Sequence, residues 1–249
     1  MRQFRGEAYG EDIGQHSWVT AEELRGDIPR LALSRSSRLL DLGCGPCGPL
    51  TFVVSTVGCE GAGVDQSRPA LDSGRARAAT LGLQDRISLR QGDLDEPLPF
   101  GSGSFDAVMS LDVVIHLKNR TPFFHEVARI LNGGRFLLTD AGVKTGPVKE
   151  EEALARSVHG VTRLVAPGEN EADLEAAGFR LLEREDRTAS VVRNASGRLS
   201  AIAAHRRELE QILGQGELER QLRYLETVRN LSQRGSVSRF MYLAQATSI

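Results

Sequence analysis

The chain has 249 residues, 40% of them hydrophobic and 26% charged, with a formal net charge of −2. That length and apolar content suit one globular domain with a sizeable core, and the faintly acidic balance speaks against a nucleic-acid partner. Three cysteines make no disulfide framework, no apolar run is long enough for a membrane, and no signal peptide is visible, so a cytoplasmic protein is expected.

Residues 1–37 precede the first strand and are expected to form an N-terminal lid or arm. Between Tyr9 and Trp18 lie Gln15, His16 and the chain's single tryptophan. This stretch is either a surface arm anchored by one aromatic or a lid that closes over a ligand. Thr20 and Glu23 have the spacing of a capping box at the start of a helix.

Residues 38–249 carry the main domain. Leu39-Leu40-Asp41-Leu42 is an apolar run that passes into Gly43-Cys44-Gly45-Pro46-Cys47-Gly48, in the spacing G-x-G-x-x-G. A buried strand, a tight turn and a helix are predicted. By itself the spacing fits a nicotinamide dehydrogenase equally well. Asp41, two residues before the first glycine, narrows it: a carboxylate there repels a pyrophosphate and attracts a cation or an amino group. A second short strand, Glu60 to Asp65, also ends in an acid, which can accept hydrogen bonds from a ribose. Both acids suit S-adenosylmethionine, a zwitterion with a sulfonium, better than a dinucleotide. Cys44 and Cys47 form a C-x-x-C, but zinc needs two further soft ligands and no second pair exists. No metal site is expected, and the cysteines are read as small residues in a tight loop.

Ser67 can cap a helix that ends near Gly82, with Leu83 as the apolar residue beyond. Arg86 to Arg90 alternates and predicts a third strand, closed by Gln91-Gly92-Asp93-Leu94. Phe105 to Ser110 predicts a fourth, with Leu111 to Leu117 at its carboxyl end, the edge where open α/β sheets bind ligands. A helix follows, with Thr121 as N-cap and Pro122 at the first helical position, stopped by Asn132-Gly133-Gly134. Arg135 to Asp140 is the fifth strand. Residues 141–168 are irregular, 169–178 a short helix, Phe179 to Arg187 a strand and Val237 to Ala246 the last strand. Leucines from Leu199 to Leu225 keep helical spacing between those two. Alternating strands and helices imply a doubly wound, mainly parallel sheet.

The ordered set Asp41-x-Gly43-x-Gly45, Asp65, Asp93-Leu94, Phe105-Asp106 and Asn132-Gly133-Gly134 resembles class I S-adenosylmethionine-dependent methyltransferases. The motifs cover about residues 35 to 140. The nearest look is to small-molecule enzymes that methylate oxygen or nitrogen. The resemblance implies an α/β Rossmann-like sheet of seven strands with an antiparallel last strand, N-terminal lid helices, and residues 141–235 shaping the acceptor pocket. It implies S-adenosyl-L-methionine as cofactor, S-adenosyl-L-homocysteine as product and a small-molecule acceptor. Gly43, Gly45 and Gly48 would give close backbone approach, Asp41 would meet the amino-acid end, and Asp65 would take the ribose hydroxyls. Gln66 would flank the adenine, with Asp93 and Leu94 on its other side. Ser110 would offer its carbonyl to the methionine amine, and Gln15 and Trp18 would close from the lid.

His116 is the first candidate base, since imidazole titrates near neutral pH; the alternative is a surface or packed histidine. Asp140 is the second, pairing with His116 or acting alone, the alternative being a strand-end cap. His16 and His159 are weaker. Some relatives have two adjacent histidines where this chain has Ile115-His116. The Asn-Pro-Pro-aromatic motif for nucleobase amines is absent, Ser110-Leu111-Asp112-Val113 standing in its place. Other readings remain open: a protein or RNA methyltransferase, a cofactor binder that has lost transfer or performs another reaction, and a dehydrogenase.

Overall fold

The structure is a computed structural model and describes residues 2–131, 133–157 and 162–247. Its centre is one seven-stranded sheet in the order β3-β2-β1-β4-β5-β7-β6. The strands are β1 (Arg38–Leu42), β2 (Glu60–Asp65), β3 (Ile87–Gln91), β4 (Ala107–Leu111), β5 (Arg135–Lys144), β6 (Phe179–Asp186) and β7 (Val237–Ala246). Strands β1 to β5 run parallel, and β7 is antiparallel to both β5 and β6. The expected mainly parallel sheet with an antiparallel last strand is what forms.

Burial explains the sequence of the central strands. Parallel strands covered by helices on both faces are apolar throughout rather than alternating. Every residue of β4 is buried, as are eight of the ten in β5, whereas the edge strands β3 and β6 are mostly exposed or half-buried. Side chains of one strand divide between the two faces: Phe136 and Leu138 join one apolar cluster, Leu137 the opposite one.

The helices are α1 (Arg2–Tyr9), α2 (Ala21–Arg30), α3 (Gly48–Val57), α4 (Arg68–Thr80), α5 (Arg120–Ile130), α6 (Glu150–Arg156), α7 (Glu169–Ala176), α8 (Thr188–Ala204), α9 (Arg206–Leu213) and α10 (Gln215–Gln233). Thr20 and Glu23 form both halves of the capping box that opens α2. Ser67 caps α4, and beyond its end Gly82 takes φ +67° while the Leu83 amide donates back to the Ala78 carbonyl. The N-cap of α5 is Asn119, not Thr121: the Asn119 side chain accepts from the Thr121 amide, so the helix begins one residue before the Thr-Pro pair. Two further differences lie in 141–168. Strand β5 runs on to Lys144, and α6 occupies a stretch expected to be irregular. Asn132 and His159 lie outside the described residues.

The strand order reverses between β1 and β4, and a crevice opens at the carboxyl ends of such a pair. The N-terminal arm crosses that crevice. Its Trp18 backbone is clamped from both sides, the amide donating to Asp112 Oδ2 (2.9 Å) and the carbonyl accepting from Asn194 (2.7 Å). The buried Arg187 holds Asp27 of α2 through both carboxylate oxygens (2.7 and 2.6 Å). Trp18 then packs with Val191, Ala195, Leu225 and Val228 of α8 and α10 in a third apolar cluster.

Candidate active site

The carboxyl ends of β1, β2 and β4 surround a cleft of about 510 Å³. Its wall includes Asp41, Gly43, Gly45, Asp65, Gln66, Asp93, Leu94 and His116 from the predicted set, and Gly14, His16 and Ser17 from the arm. Five aspartates border it (Asp41, Asp65, Asp93, Asp95 and Asp112) against one lysine, Lys118. A cleft of that charge favours a cationic ligand.

Asp41 sits in an unfavourable electrostatic setting. It is 2% exposed, and no hydrogen bond from the described residues reaches its carboxylate. Burial first, then the neighbouring Asp65 carboxylate, pushes its carboxyl from the ordinary 3.8 up to about 8. A buried acid without a donor is the chemical complement of an ammonium group.

Asp65 holds the glycine loop. One carboxylate oxygen accepts from the Gly45 amide (2.8 Å) and the other from the Ser67 amide (2.8 Å), joining the loop to the start of α4. A carboxylate offers about four acceptor sites, so both oxygens can still take hydroxyl donors from the cleft. Gly43 has φ +78°, and a side chain there would strike Val113 at 2.4 Å; Gly45 has φ +51°, and a Cβ there would meet nothing within 4 Å. The loop therefore presents bare backbone to the cleft, which fits a ligand lying against it. On the far rim the Asp93 carboxylate accepts from the Asp95 amide (3.0 Å), and Gln91 bonds the Gln66 carbonyl (3.0 Å).

Several expected site residues lie elsewhere. Gly48 is off the cleft wall: a Cβ on it would lie 2.3 Å from the Gly14 backbone, so its bareness lets the arm pass over the helix start. Gln15 is fully buried and turned into its own arm, accepting from the Ile13 amide and donating to the Glu11 carbonyl. The Ser110 hydroxyl donates to the Leu42 carbonyl, tying β4 to β1, and it is the next residue, Leu111, that borders the cleft. Asp140 is fully buried and engaged by Arg120 (2.7 Å), Asn170 (2.9 Å) and the Gly142 amide (2.8 Å). Three donors thus hold Asp140 in a buried ion pair, and it does not border the cleft. The two cysteines of the loop stand 3.6 Å apart and pack into the spaces left by Gly63 and Gly74.

Trp18 borders not the cleft but a smaller inner chamber of about 30 Å³, with Asp112, Ile115, His116, Ala141, Arg156, Thr162 and Tyr224. The Trp18 and Tyr224 rings stack 6.3 Å apart. Asp112 and His116 belong to both walls. His116 closes a 3-10 turn (Val114–His116) after β4 and is exposed.

Asp112 was not singled out by sequence reasoning. It is the hub of this region, accepting from the Trp18 amide, Arg239 Nε (2.8 Å) and the Thr139 hydroxyl (3.0 Å), with a left-handed φ of +62°. A signal was available: it is an acid at the carboxyl end of a strand, like Asp41 and Asp65. Arg156 and Tyr224 had none, one lying in a stretch without pattern and the other inside a leucine ladder.

The comparisons agree with this geometry. Residues 40–138 match the family model described as a methyltransferase domain. Methyltransferase GfsG of Streptomyces halstedii is 34% identical over 116 residues, covering 46% of this chain and 41% of that protein. The chain spans about half, or less, of the length of the first curated relatives it matches. Among solved structures, the cyclopropane synthase MmaA2 from Mycobacterium tuberculosis superposes with a TM-score of 0.80 at 16% identity, over 94% of this chain and 87% of that one. Geranyl diphosphate C-methyltransferase from Streptomyces coelicolor A3(2), solved with Mg2+, geranyl diphosphate and S-adenosyl-L-homocysteine, gives 0.75 at 17%, over 91% and 79%. At these identities the structural likeness is one of fold. Residues 40–138 thus match a methyltransferase domain, and the chain has the same Rossmann-like fold as these solved structures.

Proposed function

We propose that the protein transfers a methyl group from S-adenosylmethionine to an oxygen or nitrogen of a small metabolite. The observation that carries this reading is the buried, donor-free Asp41 carboxylate beside the bare backbone of the glycine loop. When bound, the cofactor supplies an electrophilic methyl group on its sulfonium. Asp41 holds the amino group of its methionine end, directly or through water. Asp65 accepts from the ribose hydroxyls, and Gln66, Asp93 and Leu94 border the adenine. The clamped arm lies along the crevice and helps align donor and acceptor; the acceptor bonds to the methyl carbon as its bond to sulfur breaks, and S-adenosylhomocysteine leaves as the thioether.

His116 borders both the cleft and the inner chamber. In this reading its imidazole takes the proton from the acceptor as the new bond forms. Residues 1–37 act as the lid and 38–249 as the transferase domain, with α8 to α10 shaping the acceptor side. The charge balance gives no support to a nucleic-acid acceptor, and among the described residues no helix is long and apolar enough to cross a membrane.

Titration calorimetry with S-adenosylhomocysteine, with NADH in parallel, tests the reading. Micromolar binding of the first and none of the second is expected. Tight NADH binding without S-adenosylhomocysteine binding would overturn it. Binding without turnover across hydroxyl and amine acceptors would refute transfer while leaving the cofactor site intact.

A further inference from the structure

Arg156, the last residue of α6, is 4% exposed and borders the inner chamber. Its guanidinium has five N–H donors. Nη2 donates to the Ala141 carbonyl (2.9 Å), while Nε and Nη1 meet no partner among the described residues. No carboxylate of the described residues lies within ion-pair distance of it. The acidic groups whose charge reaches it are the Tyr224 phenol, then Asp140 and Asp112. Both carboxylates are committed elsewhere, Asp112 to Arg239 and Asp140 to Arg120. Burial pushes the guanidinium below its ordinary value, yet arginine keeps its charge in proteins. Arg156 is thus a buried cation with two nitrogens that meet no partner among the described residues, at the wall of a cavity next to the cleft.

The chamber also limits what that ligand is. It has room for a few atoms, and Trp18 and Tyr224 give it flat apolar walls. Among the described residues no lysine or second arginine lines it, and the Asp112 carboxylate is part of the wall. A phosphate dianion would face one cation and one acid there, whereas a planar monoanion matches a single guanidinium.

We propose that the inner chamber anchors the acceptor, and that the acceptor is a small organic acid whose carboxylate is held by Arg156 while its hydroxyl or amine faces the cleft past His116. The proposal rests on the methyl-transfer reading and deepens it. Arg156 is then a specificity determinant: it selects acids over their amides and esters.

The test uses the full chain saturated with S-adenosylhomocysteine and follows propionate, propionamide and inorganic phosphate by ligand-observed NMR titration. Propionate should bind, with propionamide at least about tenfold weaker, because the amide cannot form the charge-assisted pair. Arg156→Met should lose at least about tenfold in propionate affinity and keep its affinity for S-adenosylhomocysteine. Should that variant fail to fold, Arg156→Lys keeps the charge and loses the planar fork, and partial loss of propionate binding is expected. Equal binding of propionate and propionamide, no propionate binding, or unchanged affinity in both variants would overturn the proposal. Phosphate binding in place of propionate would overturn the carboxylate assignment. Failure of the wild type to bind S-adenosylhomocysteine would overturn the methyl-transfer reading itself, which separates the two failures.

Discussion

Replacing Asp41 by asparagine should stabilise the protein above neutral pH while weakening its ligand. The Asp41 carboxyl is buried, has no donor, and is held up to about 8 against an ordinary 3.8. The unfolded chain gives up this proton near pH 4, whereas the folded chain keeps it to about pH 8. The folded state thus binds the extra proton through that window, and its stability falls as pH rises from about 4 to about 8. Each pH unit is worth about 1.4 kcal/mol, so the ceiling is about 6 kcal/mol. Water reaching the carboxylate from the cleft reduces this, and about 2–4 kcal/mol is expected. Asparagine has nearly the same shape and no charge. Urea unfolding of wild type and Asp41→Asn should therefore coincide at pH 4 and separate progressively to pH 8, with the variant more stable. A difference that is constant with pH, or a less stable variant at pH 8, would refute the argument. The same buried charge predicts the ligand's behaviour. An ammonium group beside Asp41 favours the ionised carboxylate, so binding of S-adenosylhomocysteine at pH 7 should release protons. Calorimetry in buffers of different ionisation enthalpy measures that release, and Asp41→Asn should abolish it.

The remaining predictions concern the loop, the base and the buried ion pair. Gly48→Ala places a methyl group 2.3 Å from the Gly14 backbone, so the arm must shift; a loss of about 1–3 kcal/mol in urea unfolding is expected, and an unchanged midpoint would show the arm to be free to move. Asp65→Ala removes the acceptor of the Gly45 and Ser67 amides and should weaken S-adenosylhomocysteine binding by about tenfold or more; unchanged affinity would remove Asp65 from the site. His116→Ala should lower turnover far more than cofactor affinity, and equal loss of both would mark a structural histidine. Asp140→Asn leaves Arg120 buried without its counter-charge and should cost about 3–5 kcal/mol of stability; if instead turnover fell with stability intact, Asp140 would return as a catalytic candidate.

The legible part of this protein was the part encoded locally. Strand β2 ends at Asp65 and β7 spans Val237–Ala246, as the apolar runs predicted, because a short apolar run bounded by turn residues specifies a buried strand within a few residues. The glycine loop was legible for the same reason: φ values of +78° at Gly43 and +51° at Gly45 are conformations that favour glycine. What the short range cannot specify is which distant group a polar side chain meets. Asp140 looked like Asp41 and Asp65, an acid ending a strand. It is paired instead with Arg120 and Asn170 because β5 continues past it and α5 and α7 close over that face. Gln15, expected at the ligand from the resemblance, and Gly48, expected there from the glycine motif, both lie against the arm.

The sequence by itself determined the order of strands and helices, the conformation of the loop and the acids at the ends of β1 and β2, since periodicity and turn chemistry act over a few residues. Tertiary structure alone decided the inner chamber. The inner chamber joins Trp18 of the arm, His116 after β4, Arg156 of α6 and Tyr224 of α10, residues far apart in the chain with no common pattern. Their chemistry appears only when packing buries a guanidinium beside the cleft and leaves two of its nitrogens without partners among the described residues.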